Sequence, residues 1–182
     1  MFYRKQLMVL VALVLLVFSL SACTVGAGVQ VPDRDVSISL EDALEAQNMA
    51  VTGMMMGGVE LTETQFSSLL TELLKANSGE NNPVTSIKAW FEPDTIYLQV
   101  NLKEGVLPAA FGTTLNLVGS VDVVDNHLAI TVREASAGPY AVSGAMLAPV
   151  NAQLNAALAN YQLLMPVDVS LDTGVLSVSM GQ

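Results

Sequence analysis

Apolar residues recur along this chain with two periods, and the change from one to the other divides it into helical and extended parts. From Thr62 onward, Phe66, Leu69, Leu70, Leu73 and Leu74 return at three- and four-residue steps, which builds one apolar stripe on a helix. Thr62 and Gln65 fit a capping box at its start, Lys75 suits its carboxyl end, and Asn77-Ser78-Gly79 supplies the stop. An earlier helix is expected with Ser39 as N-cap and Asp42 in the first turn, running through Leu44 and toward Met49. The following Gly53-Met54-Met55-Met56-Gly57-Gly58 fits a flexible apolar loop or core filling, uses that Met serves equally, and core filling is the favoured reading.

From Thr85 the period falls to two. Ser86 to Phe91 reads as a strand joined through Glu92-Pro93-Asp94 to a second, in which Ile96, Leu98, Val100 and Leu102 share one face and Tyr97, Gln99 and Asn101 the other. Leu115, Leu117, Val121 and Val123 alternate in the same way. Asp125-Asn126 is a two-residue turn, after which Leu128, Ile130 and Val132 resume the alternation. A third helix is expected from Pro149, with Val150, Leu154, Ala157, Leu158 and Tyr161 on its buried side, ending at Met165-Pro166. Val167, Val169 and Leu171, then Leu176, Val178 and Met180, form a closing hairpin across Asp172-Thr173-Gly174. The order implies an α+β fold: a mostly antiparallel sheet of about six short strands, curved over two amphipathic helices.

The amino end follows neither period. Met1 to Gln6 carries Arg4 and Lys5, Leu7 to Phe18 is an unbroken apolar run of twelve residues, and Leu20-Ser21-Ala22-Cys23 follows. A basic start, a short apolar stretch and small residues before a cut site mark a secretory signal, and the run falls short of the roughly 18–20 residues that span a bilayer. Leu20-Ser21-Ala22-Cys23 resembles the lipobox of bacterial lipoproteins, in which the leader is cut before Cys and the thiol carries a diacylglycerol. The expected organisation is therefore residues 1–22 as signal peptide, 23–35 as lipidated Cys23 and a tether, and 36–182 as one domain on the extracytoplasmic face of a bacterial membrane. Removing the leader leaves 5 basic against 17 acidic residues, a net charge of −12. Such a body is repelled by anionic headgroups, so attachment must come from the acyl chains.

A further resemblance covers roughly residues 57–182. The run Gly57-Gly58-Val59-Glu60-Leu61-Thr62-Glu63-Thr64-Gln65-Phe66-Ser67-Ser68-Leu69-Leu70 resembles the opening of small bacterial envelope proteins of the YpmS and LmeA kind. The Ala-, Asn- and Leu-rich stretch from Pro149 to Leu164, followed by Pro166-Val167-Asp168-Val169 and the Asp172-Thr173-Gly174 hairpin, is similar to their second half. The resemblance implies a sheet wrapped around a long helix, of the tubular lipid-binding (TULIP-like) type, with a phospholipid or similar amphiphile between sheet and helix.

Composition narrows the chemistry. A lone Cys excludes a disulfide framework, a zinc ribbon and a CxxC redox pair, and a lone His argues against a His-rich metal site or a His-relay hydrolase. The acidic balance speaks against nucleic acid as a partner. His127 beside Asp125 flanks a turn, where polar residues are expected anyway, and Ser143 lacks the G-x-S-x-G frame. Asp33, Asp35, Glu41, Asp42 and Glu45 read as a solvated acidic face, without the order of a calcium loop. The expectation is a protein without catalysis, metal or cofactor. Two functions lead, ahead of an envelope hydrolase that an activity lost on His127→Ala would reveal: a slot between the Phe66–Leu74 stripe and the Ile96, Leu98 and Val100 face that takes acyl chains, or a dry-cored module that docks another envelope protein.

Overall fold

The computed structural model describes residues 28–78, 83–125, 127–142, 148, 151–152, 154–156, 158–159 and 166–181. Among them, α1 (Leu40–Met56), β1 (Gly58–Thr62) and α2 (Glu63–Ser78) precede a meander of β2 (Val84–Glu92), β3 (Thr95–Leu102), β4 (Thr114–Val124), β5 (His127–Ala137) and the short β6 (Tyr140–Ala141). A third helical segment lies within 148–158, and β7 (Val167–Asp172) and β8 (Val175–Met180) close the chain. The architecture is α+β, as the change of period implies. The strands form two antiparallel sheets, not closed into a barrel: β2-β3-β4-β5-β6 and β1-β8-β7. Sequence spacing suggested about six strands; β1, beside β8, and β6, beside the end of β5, are too short to stand out as alternation.

The expected local signals are present. Gln65 Oε1 accepts from the Thr62 backbone N–H at 3.0 Å, and Thr62 Oγ1 accepts from that of Gln65 at 3.3 Å, which closes the capping box of α2. The Ser39 hydroxyl accepts from the Asp42 N–H at 3.0 Å. Asp94 and Asp125 adopt the left-handed conformation (φ 56° and 49°) that tight hairpin turns demand of β2–β3 and β4–β5.

The core lies between α2 and the inner faces of both sheets. Phe66, Leu70 and Leu74 meet Ile87, Phe91, Ile96, Leu98, Leu117, Ile130 and Leu176 in one buried cluster, and the Phe66 and Phe91 rings pack edge to face at 5.4 Å. Leu154 and Leu158 of the third helix join the same cluster. Val150, Ala157 and Tyr161, also expected on its buried side, lie outside the residues whose side chains are described.

Helical side chains also finish the edges of the larger sheet. Residues 63, 67 and 71 of α2 are four apart and climb about 6 Å per step, close to the roughly 6.6 Å covered by two strand residues. Glu63 Oε1, Ser67 Oγ and Thr71 Oγ1 therefore accept in turn from the backbone N–H of Phe91 (2.8 Å), Ala89 (2.7 Å) and Ile87 (2.9 Å) along the outer edge of β2. Past the short β6, the other edge is finished by Asn151 and Asn155. Their Oδ1 atoms accept from Val132 N–H at 2.9 Å and Ile130 N–H at 2.8 Å, and Asn155 Nδ2 donates to Ile130 O at 3.0 Å. Along Ile87–Phe91 and Ile130–Val132 the edges are thereby closed to another strand.

The segment ahead of α1 differs from the free tether expected for residues 23–35. From Gly28 it is a strap laid on the domain. Val29 is held by Ser136 and Asn116 on the outer face of the larger sheet, and Arg34 O accepts from Trp90 Nε1 at 2.8 Å. Val36 is buried. The Arg34 guanidinium forks onto Glu63 (2.6 and 3.3 Å) and reaches Glu92 at 2.6 Å and Phe91 O at 2.9 Å. Hydrogen bonds to Glu63 and then Glu92 raise its pKa above the ordinary guanidinium value. The packed body thus begins upstream of residue 36.

Candidate functional site

The helix that builds the candidate site packs through its smallest residues. Ala43 and Ala46 of α1 are buried, and an added Cβ on Gly53 would come within 2.5 Å of Gly58 O, so only glycine allows β1 to approach this closely. The large apolar residues point the other way. Leu40, Leu44, Val51 and Met55 occupy one stripe at helical spacing and are 63%, 52%, 65% and 84% exposed. Met56 is exposed too, so Met55 and Met56 are neither loop nor core filling: the helix simply continues through them.

Between α1 and β1 runs an open groove of about 910 Å³. Leu40, Leu44, Met49, Gly53, Gly58 and Val59 give it apolar walls, and Asn48, Thr52, Glu41, Glu45 and Glu60 a polar rim. All three of its charged side chains are acidic. Met49 is held by Gln65, whose Nε2 lies 3.3 Å from Met49 Sδ while its Oε1 caps α2. A site of this kind binds by burying apolar surface within an acidic frame.

The residues expected to form the acyl slot are elsewhere. Phe66, Leu70, Leu73 and Leu74 and the facing Ile96, Leu98 and Val100 are all buried, and Leu69 is half-buried against them. They are brought together, but as core: a ligand between them would have to displace packed side chains. Cys23 and Ser143 lie outside the described residues. His127 Nδ1 lies 2.8 Å from Asp125 O, so the ring bonds the turn backbone, and the Asp125 carboxylate has no part in that bond. Among the described residues, no cluster of His, Cys, Asp or Glu could hold a metal ion. In the same residues, no helix is long and apolar enough to cross a membrane.

Sequence reasoning missed the groove although its signal was present. Leu40, Leu44, Val51 and Met55 form a stripe as regular as that of α2, opposite a second stripe of Ala43, Ala46 and Gly53. No family model, curated protein or solved structure matches the chain.

Proposed function

We propose that this chain is a lipid-anchored envelope module, acylated at Cys23, that docks a basic amphipathic segment of a partner protein in the α1–β1 groove, without catalysis. The observation that carries this reading is the reversed polarity of α1, which buries Ala43 and Ala46 and leaves Leu40 and Leu44 uncovered in the groove, with Val51 and Met55 exposed beyond its lining. An exposed apolar stripe on a small domain is a liability unless something covers it. Glu41, Glu45 and Glu60 frame the groove without a basic counterpart, which favours a cationic occupant and disfavours an anionic headgroup.

Carriage of a lipid or other hydrophobic ligand is the second reading, because about 910 Å³ with Leu, Met and Val walls would also receive an acyl chain. The test uses residues 24–182 and a Leu/Lys amphipathic peptide, compared by fluorescence anisotropy with its Lys→Glu counterpart. The basic peptide is expected to bind at least about tenfold tighter, a difference of ~1.4 kcal/mol, and Leu44→Glu to abolish binding with folding unchanged. Equal binding of the two peptides, or a stoichiometric phospholipid in the native mass spectrum of the purified domain, would overturn docking; the lipid would establish carriage.

A further inference from the structure

Four residues separate Cys23 from Gly28, and Gly28 meets the domain at a specific place. An added Cβ on Gly28 would lie 2.4 Å from Gly138 O, in the β5–β6 turn. The Val29 N–H donates to Ser136 Oγ at 2.8 Å, and its carbonyl accepts from Asn116 Nδ2 at 3.2 Å. This is the end of the larger sheet where Asn101 pairs with Thr114 and Leu115 with Ala137. The β3–β4 loop leaves the sheet at the same end.

That end is apolar. Val106 is 43% and Tyr140 49% exposed, and Pro108 and Pro139 are exposed beside them. The Phe111 and Tyr140 rings meet edge to face at 5.0 Å, which joins loop and turn into one tip. Residues 105–121 and 135–167 contain no Asp, Glu, Lys or Arg, in a chain that is otherwise strongly acidic, and Lys103 and Glu104 at the margin of the tip offset each other.

We infer that this tip, formed by the β3–β4 loop and the β5–β6 turn, is a bilayer-contact surface seated in the headgroup region beside the acylated Cys23. The inference rests on the lipid-anchor reading above. The five Cα-to-Cα steps from Cys23 to Gly28 span at most ~18 Å when fully extended, so an anchor at Cys23 keeps the tip within that distance of the membrane. A neutral surface bearing Tyr, Phe, Val and Pro is what a membrane interface accepts, whereas the acidic remainder of the domain is repelled. Seated this way, the sheet stands with its Glu92–Thr95 turn away from the bilayer. The α1–β1 groove faces outward as well, because Met49 lies by Gln65 and α2 begins beside Phe91.

The test uses the full chain, processed and acylated in a bacterial host, in vesicles of phosphatidylethanolamine and phosphatidylglycerol. Acylation consumes the chain's one thiol, so Val106→Cys, Tyr140→Cys and, at the opposite end of the sheet, Val124→Cys each offer one site for an environment-sensitive dye. All three positions are exposed, and Val106→Cys carries the decision because Tyr140→Cys also removes the ring that meets Phe111. Lipid-borne quenchers are expected to quench the dye at 106 and 140 severalfold more than at 124, with a blue shift at 106 and 140 alone. Equal quenching at 106 and 124 in protein that floats with the vesicles and has the acylated mass would overturn the tip and leave the anchor standing. A chain without the acyl mass that fails to float would overturn the anchor, and the tip with it.

Discussion

Both edges of the five-stranded sheet are closed by helix side chains at four-residue spacing, but in different surroundings. On β2 the acceptors Glu63, Ser67 and Thr71 are themselves buried, and Thr71 also donates back to Ile87 O at 3.1 Å. On β5 the acceptors Asn151 and Asn155 are only half-buried. A hydrogen bond sealed from water has no substitute when one partner is removed, whereas one at the rim can be replaced by water. The two edges carry the same pattern of bonds, yet the β2 edge should hold the domain together and the β5 edge mainly keep it from associating. The largest contrast is expected from Thr71→Val, which preserves shape but leaves the buried Ile87 N–H and C=O without the hydroxyl. It should cost ~1–3 kcal/mol in urea unfolding, with little change in the denaturant slope. A loss below half a kcal/mol would mean that water reaches this edge.

Asn155→Leu removes two bonds from Ile130, one to its N–H and one to its carbonyl, and is expected to cost less, about 1 kcal/mol, because the site is part-exposed. Its more specific effect is local. The Ile130 amide should exchange with solvent markedly faster while that of Ile87 is unchanged, and sedimentation should reveal self-association through the uncovered β5 edge. Equal acceleration at both amides would show global loosening instead and erase the distinction between the edges.

These ladders illustrate which parts of the molecule periodicity reveals. The Phe66–Leu74 stripe, the Thr62/Gln65 box and the two hairpin turns at Asp94 and Asp125 were legible because each rests on a local rule that tertiary packing obeyed. Ser67 and Thr71 lie on the same helix and are as buried as its leucines, but hydropathy reads them as solvent-facing; only the neighbouring strand edge explains them. In α1 the failure runs the other way. Large apolar residues normally mark the inward face, yet β1 and α2 approach so closely that Ala43, Ala46 and Gly53 take it and the leucines are left outside. The strap from Gly28 to Val36 has no period at all, because its attachment is made by single residues such as Arg34 to distant partners. The stripe of α2 was legible as structure, but it turned out to be core, and the groove lies on the helix whose pattern was cut short at Met49.

The smallest expected effect lies where the strap meets the end of the β2 edge. Glu63 closes that edge at Phe91 and holds Arg34, and Arg34 in turn holds Glu92 on the surface. Hydrogen bonds from Arg34 first, and from Thr173 second, lower the Glu92 pKa below the ordinary glutamate value of 4.5. A depressed carboxylate pKa means that its stabilising contribution is present above about pH 4.5 and is lost as pH falls through the lower folded value. Acidification should therefore loosen the strap at this point. Trp90 is the one tryptophan of the chain and donates its indole N–H to Arg34 O, so its emission reports that contact directly. The expected result is a small, reversible change in Trp90 fluorescence below pH 4.5, before unfolding. Glu92→Gln should abolish this step, since it removes the titrating group while retaining an acceptor for Arg34. A step that persists in Glu92→Gln would assign the acid sensitivity to other carboxylates.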